Sequence, residues 1–159
     1  MIGDVKNKMD IAFEGMVGHS FHKQVDSAIC DENLGIAFGR VVSQDDTGTK
    51  VKLPLSTDTE VMFAGVTKHI NKVPNGDGSV KYNKTELVNK VVKGSIFVYC
   101  SEAFDTNDSV YVRHTAGAGA SEKVGMVKTT ATDGTLWTKA RFKNKGVAGE
   151  LAELDINLP

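Results

Sequence analysis

Two histidines, His19 and His22, form the pair in this sequence with the best spacing for binding a metal ion. On a helix both imidazoles would face one ion, and Asp26 or Asp31 could supply a third ligand. Two glycines shortly before the pair weaken any such helix, however. We therefore interpret both histidines as exposed polar residues and predict no metal site.

A thiol or hydroxyl nucleophile is the second kind of chemistry to consider. Cys30 or Cys100 beside a histidine could form a thiol nucleophile. A small hydrolase would need a polar pocket that unites His19 or His22 with Cys30 or an acid. Cys100 alternates in phase with two aliphatic residues, which favours a place in the core. The sequence shows no secretory signal, so we expect two reduced thiols, although a disulfide stays open.

Other candidate motifs are incomplete. Asp105–Asp108 is rich in oxygen but lacks the glycine and the distal glutamate of a calcium loop. Gly117 and Gly119 are not followed by the Lys-Ser/Thr of a phosphate-binding loop. Trp137 and Tyr82 could form a platform on which a sugar stacks. With no complete catalytic motif in the chain, we predict that the protein is not an enzyme and needs no cofactor.

Charge and composition exclude further classes. The 159 residues include 19 Lys plus Arg and 20 Asp plus Glu, a formal net charge of −1. This balance argues against nucleic-acid binding, which needs a positive field. No apolar run approaches the roughly 20 residues that span a bilayer, and the first residues carry charges where a signal peptide is apolar. We expect one soluble domain, made in the cytoplasm.

The segment from Val91 to Arg113 holds two predicted strands that are apolar on both faces. Ser95–Cys100 and Ser109–Arg113 flank a polar corner, Ser101–Asp108, that has no catalytic or metal-binding motif. Strands of this kind need cover on both sides, as in a barrel or at a subunit interface. Alternation places Ile96, Val98, Cys100, Val110 and Val112 on one face, and Phe97, Tyr99, Tyr111 and Arg113 on the other.

Strand patterns recur along the rest of the chain. Asn75–Ser79 is the strongest turn signal, Thr85–Lys93 fits either a strand or a helix, and Ala152–Leu158 alternates strictly. The pattern predicts an all-β fold, a single antiparallel β-barrel or sandwich with an extended N-terminal arm and at most one short helix. The other predicted strands are Leu34–Ser43, with Leu34, Ile36 and Phe38 in phase, Val51–Leu55, Glu60–Lys68, Val124–Thr129 and Leu136–Phe142.

The first 33 residues differ from the rest. Their apolar residues follow neither the period of a strand nor that of a helix, and glycines interrupt them. They are nevertheless too rich in apolar residues for a disordered tail. We predict an extended arm over residues 1–33 and a β-barrel or sandwich domain over residues 34–159.

An ordered set of short pieces carries a family resemblance. The pieces are Phe13-Glu14-Gly15-Met16-Val17, Phe38-Gly39-Arg40-Val41-Val42, Leu53-Pro54, Gly65-Val66-Thr67, Lys93-Gly94, Asp108-Ser109-Val110-Tyr111-Val112-Arg113, Ala140-Arg141-Phe142, Gly146-Val147-Ala148 and the final alternating strand. In this order, over nearly the whole chain, they resemble the structural cement, or head decoration, proteins of tailed bacteriophages.

The resemblance implies a decoration protein on the outer surface of the phage head. Its partners would be the major capsid protein and further copies of itself, in a homotrimer that stabilises the expanded lattice. The arm would then be the capsid-binding element, through Met9, Ile11, Phe13, Met16 and Phe21. A subunit interface would include Phe97, Tyr99 and Tyr111.

A different class of function also fits a β-sandwich. The chain could be a carbohydrate-binding or receptor-binding module of a virion or secreted protein. Such a module would depend on exposed aromatic side chains, here Trp137 and Tyr82.

Overall fold

The computed structural model describes residues 12–20 and 22–159, and its regular structure is almost entirely β. One turn of 3-10 helix, Glu60–Met62, is the helical element of this part of the chain. No helix among these residues is long and apolar enough to cross a membrane. The strands are Gln24–Cys30 (β1), Ile36–Ala37 (β2), Val41–Gln44 (β3), Lys50–Lys52 (β4), Phe63–Thr67 (β5), Lys81–Tyr82 (β6), Leu87–Tyr99 (β7), Tyr111–Arg113 (β8), Val127–Lys128 (β9), Gly134–Leu136 (β10), Ala140–Phe142 (β11) and Leu151–Asn157 (β12).

Five strands close into a barrel. The order is β1-β4-β3-β5-β7, and β1 pairs with both β4 and β7 and so closes the ring. β1 and β4 run parallel, whereas the other neighbours in the ring are antiparallel. The prediction of an all-β barrel is confirmed, but the prediction of a purely antiparallel one is wrong. A parallel pair needs a crossover between its strands, and β2 and β3 supply it.

β7 is the longest strand and organises the molecule. Its first half belongs to the barrel, and its second half pairs with β12, which in turn pairs with β11. The ambiguous run Thr85–Lys93 lies mostly within this strand. Its valines resolve the ambiguity, because β-branched residues favour a strand that has partners on both sides. A separate three-stranded sheet, β10-β8-β9, and the pair β2-β6 complete the fold.

The apolar residues form two cores. The first lies inside the barrel, since each of its five strands contributes to it, and β2 and β6 add to it. The second is built from β7, β11, β12 and the three-stranded sheet, and residues of barrel strands β3 and β5 also pack into it. The barrel core is Ala28, Cys30, Ile36, Phe38, Val42, Val51, Ala64, Tyr82 and Val88.

Burial follows the predicted alternation in the two best-patterned strands. Along β7 the side chains of Ile96, Val98 and Cys100 are buried, while Phe97 and Tyr99 are half-buried. In the last strand the four apolar residues of Ala152–Leu158 are likewise buried. The prediction that Leu34 shares a face with Ile36 and Phe38 is wrong. Leu34 precedes β2 in a turn, and it is 81% exposed.

The predicted boundary at residue 33 does not coincide with the start of the barrel. Gln24–Cys30, which the prediction assigned to the arm, is barrel strand β1. The role of the residues before it as an arm stays a prediction.

Candidate binding surfaces

The residues that could do chemistry are not brought together. Among the described residues no group of three or more His, Cys, Asp or Glu side chains is arranged to hold a metal ion. His19 and His22 are exposed. Cys30 is buried in the barrel core, so its thiol is not accessible to a substrate at the surface.

Both cysteines are free, buried thiols. Burial raises the pKa of the Cys30 thiol, and it raises the pKa of Cys100 to about 11. A thiol of high pKa in an apolar core is unreactive, because the thiolate is the nucleophile. The expectation of two reduced thiols agrees with these positions.

We expect neither thiol to react with DTNB at pH 8 in the folded protein, because both are buried and their pKa values are raised. In guanidinium chloride two thiols per chain should react. Fluorescence of the buried Trp137, recorded on the same samples, supplies the control for unfolding. Labelling that ran ahead of the fluorescence change would contradict this placement.

In the polar corner Ser101–Asp108, and in the loop that contains Gly117 and Gly119, backbone amides donate hydrogen bonds to carboxylates of the same loop. At the end of the corner, the Asp108 carboxylate accepts a hydrogen bond of 2.8 Å from the Asp105 amide, as in a solvated turn. In the loop, the Gly119 amide donates to the Glu122 carboxylate over 2.9 Å. The donor that a phosphate would need is therefore occupied by a carboxylate.

The two aromatic residues of the sugar-binding hypothesis are both buried. Trp137 packs edge-on against Phe63 at 5.6 Å between ring centroids, and its side chain is 0% exposed. The Tyr82 hydroxyl donates to the Lys68 carbonyl over 2.7 Å, from within the barrel core. The prediction of an exposed aromatic platform is wrong, because both rings are needed to fill the cores.

Residues 13–18, here called the N-terminal clasp, extend the main sheet along the free edge of β7. The Gly15 amide donates to the Phe97 carbonyl over 2.8 Å, and the Phe97 amide donates to the Met16 carbonyl over 2.9 Å. The Gly18 amide donates to the Ser95 carbonyl over 2.8 Å. Val17 packs against the second core. The clasp is thus paired with the edge of β7 through these bonds and an isolated antiparallel bridge between Val17 and Ile96.

A buried ion pair joins the clasp to the barrel. The Glu14 carboxylate contacts the Arg40 guanidinium, and only 10% of the Arg40 side chain is exposed. Burial lowers the pKa of Arg40 to about 10, with the nearby Tyr99 acting in the opposite direction. A buried guanidinium depends on its countercharge, so Glu14 is the residue that makes this position of Arg40 tolerable.

Two glycines allow the clasp to approach so closely. Gly15 has φ of +77°, and a Cβ there would lie 2.8 Å from the His69 amide nitrogen. Gly39 has φ of +67°, and a Cβ there would collide with the Glu14 side chain. Only glycine combines this backbone conformation with the required space.

A row of rings runs from the clasp into the barrel. Phe13 and His69 meet edge-on at 4.7 Å between centroids, as do His69 and Phe38. Phe38 and Tyr82 meet at 5.3 Å. Edge-on pairs of this spacing are favourable beyond their buried area. Phe13 is still 45% exposed, so the outer end of the row is available to a partner.

The predicted capsid-binding and interface residues occupy several places. Phe13 and the half-buried Met16 belong to the clasp, while Met9, Ile11 and Phe21 lie outside the described residues. Of the interface residues, Phe97 and Tyr99 lie on β7, whereas Tyr111 lies on β8 in the other sheet. All three are half-buried. Their role as an interface stays a prediction.

Comparisons with known proteins identify one family and a similar fold. The model of the family described as "Structural cement protein (E217 gp24/Pam3 gp6)" matches residues 3–157. No curated protein matches the sequence. A chain from the capsid of Myoviridae phage XM1 is similar in structure, with a TM-score of 0.69 and 16% identity over 99% of this chain and 98% of that one. The base of the phi29 head fibre gp8.5 gives a TM-score of 0.42, with 14% identity over 84% of this chain and 95% of that one.

Proposed function

The chain belongs to the structural cement protein family, and on that basis we propose that it binds the outside of the expanded phage head as a trimer and stabilises the lattice of the major capsid protein. The family match, which spans nearly the whole chain, carries the proposal. The role is structural, in the virion, and we propose no catalytic activity.

The physics of decoration suits a small barrel. A trimer placed on a three-fold position would touch several capsid subunits at once, so individually weak contacts would combine through high effective concentration. A protein that binds the expanded lattice and not its precursor stabilises the expanded lattice by mass action. No reaction and no cofactor are required.

The N-terminal clasp gives the proposed arm a fixed starting point. Four main-chain hydrogen bonds, three to β7 and one from the His69 amide to the Gly15 carbonyl, hold the clasp in place together with the Glu14–Arg40 ion pair, while Phe13 is partly exposed at its outer end. A segment that is anchored at one end loses less entropy when it binds a neighbouring surface. We therefore propose that the residues that precede the clasp contact the capsid, with Met9 and Ile11 as apolar anchors.

The direct test is light scattering of the purified protein, followed by co-sedimentation with expanded heads. We expect a mass of three times the chain's 17.1 kDa and saturable binding to expanded heads. Unexpanded heads are the control for the lattice preference. A monomer that never sediments with heads would remove both the trimer and the cement function.

The arm has its own test. We expect Met9→Ser/Ile11→Ser to bind heads at least about tenfold more weakly with unchanged thermal unfolding, because it removes two apolar anchors and leaves the clasp intact. Lys6→Ser/Lys8→Ser is the matched control from the same segment and should bind nearly as tightly as the parent. Equal binding by both variants would show that the arm makes no apolar contact with the capsid.

A further inference from the structure

A cavity of about 360 Å³ lies at one end of the barrel. Four of the five barrel strands contribute to its wall, together with the 3-10 turn and the last two residues. Its volume is within the range of pockets that hold a ligand or an anchoring side chain. The buried apolar residues of its lining are Phe63, Ala64, Val92 and Leu158.

A lysine in this cavity has hydrogen-bonding capacity to spare. The Lys90 side chain is 7% exposed, and its ammonium donates to the Asp26 carboxylate over 2.8 Å. Within the described residues this is its one hydrogen bond, although an ammonium carries three donors. Burying a cation costs least when its donors are satisfied, so the site favours an occupant that brings an acceptor.

The rim of the cavity points to a large occupant. Val61, in the 3-10 turn, lines the cavity and is 80% exposed. A molecule that fitted wholly inside the cavity would leave most of this valine in water. A polypeptide that crossed the rim would bury it as well. Next to Val61 in the same turn, the Glu60 carboxylate accepts hydrogen bonds from the amide and hydroxyl of Thr138, both at 2.8 Å, which tie the turn to the segment before β11.

We propose that this cavity is an anchor pocket for the major capsid protein. A capsid segment would insert one aliphatic side chain against the apolar lining, and an adjacent carboxylate or carbonyl oxygen would accept a hydrogen bond from Lys90. The proposal rests on the cement function proposed above and adds a contact to it at the end of the barrel, separate from the arm.

Two variants test the pocket by co-sedimentation with expanded heads. Val61→Asp should weaken binding at least about tenfold, because it places a charge on the apolar rim. Val73→Asp is the matched control: Val73 is 83% exposed and lies outside the cavity, so its binding should stay within about twofold of the parent. Lys90→Met should weaken binding while it keeps the fold, since a buried lysine is replaced by an apolar side chain of similar length.

A photo-crosslink identifies the occupant. With p-benzoylphenylalanine at Val61, illumination of decorated heads should join this chain to the major capsid protein. A crosslink to a second copy of the chain, or none on saturated heads, would overturn the proposal, as would equal binding of heads by Val61→Asp and the parent. If the parent itself bound no heads, the cement function would fail, and the pocket proposal with it.

Discussion

Replacing Glu102 with alanine should lower the free energy of unfolding by about 3–5 kcal/mol, because it leaves a buried lysine without its countercharge. Lys128 is 4% exposed at its side chain, and its ammonium lies 3.1 Å from the Glu102 carboxylate. The same carboxylate accepts hydrogen bonds from the amides of Thr129 and Thr130, each at 2.9 Å. One side chain thus ties the corner after β7 to the loop after β9.

The measurement is chemical denaturation with a thermal melt alongside. For a chain of this size the expected loss corresponds to a fall in Tm of roughly 10 °C. Glu32→Ala is the control, since the Glu32 carboxylate has no hydrogen bond among the described residues, and it should change stability by less than about 0.5 kcal/mol. Glu102→Leu/Lys128→Met should recover much of the loss, because an apolar pair can replace a buried ion pair. If Glu102→Ala were as stable as the parent, the Thr132 carbonyl, which already accepts a hydrogen bond of 2.6 Å from the Lys128 ammonium, would be sufficient to keep this lysine buried.

The same carboxylate predicts a pH dependence. Burial alone would raise the pKa of Glu102, but hydrogen bonds from Thr130, Thr129 and Lys128 outweigh it and lower the pKa to about 2, from an ordinary value of 4.5. A group whose pKa is lower in the folded state stabilises the fold above its unfolded pKa and loses that contribution as the pH falls. Between pH 4.5 and pH 2 the parent should therefore lose up to about 3 kcal/mol that Glu102→Ala does not lose.

The contrast between what the sequence predicts and what it does not is clear at the polar corner. Ser101–Asp108 has no recognisable motif, and among the described residues no group of side chains is arranged to hold a metal ion, yet this corner contains Glu102. The partner of that carboxylate, Lys128, is distant in sequence and lies at the end of β9. Alternation reports which residues are apolar and on which face they lie, but it does not report which charged residues meet.

The sequence also does not predict which strands pair with one another. The final strand was predicted almost to the residue, because one of its faces is buried and the other is not. The parallel pairing of β1 with β4 carries no local signal, since it depends on closure of the whole barrel. The prediction of a strand over Leu136–Phe142 is wrong at Trp137, which follows β10 outside any strand and lies in the second core.

The sequence indicates some of the residues that hold the N-terminal clasp but not others. Gly15 and Gly39 both appear in the pieces that carry the family resemblance, and the structure explains them by the close approach of two backbones. Nothing in the sequence indicated that Glu14 and Arg40 form a buried pair.

The second large effect follows from that pair. Glu14→Ala should release the clasp from β7, so that the amides of Gly15, Gly18 and Phe97 exchange with solvent at least about tenfold faster. If the clasp stayed in place, Arg40 would be buried without a countercharge, which would lower the free energy of unfolding by about 3–5 kcal/mol. Detachment exposes Arg40 to water at the expense of four main-chain hydrogen bonds and the contact between Phe13 and His69. The expected loss in the free energy of unfolding is therefore no larger than the smaller of these two free-energy costs.

Hydrogen exchange read by mass spectrometry separates the two outcomes. Faster exchange confined to the clasp and the facing edge of β7 means detachment, whereas an unchanged pattern with a lower free energy of unfolding means a strained but attached clasp. Asp46→Ala, at an exposed turn, is the control and should leave both unchanged. Glu14→Ala/Arg40→Met should restore slow exchange, because it removes the uncompensated charge. An unaltered pattern and unaltered stability in Glu14→Ala would show that the ion pair does not hold the clasp.

Detachment of the clasp also bears on the proposed capsid contact. In Glu14→Ala the arm would keep every apolar residue but lose its fixed origin, so it would have to be ordered at the moment of binding. Head binding should therefore weaken in this variant and recover in Glu14→Ala/Arg40→Met, although neither change touches Met9 or Ile11. Binding that weakened in both variants to the same extent would instead indicate that Glu14 itself contacts the capsid. If binding recovers in the double variant, attachment of the clasp to β7 contributes to the affinity for heads in addition to the apolar residues of the arm. If binding does not recover, the contribution comes from the Glu14 side chain.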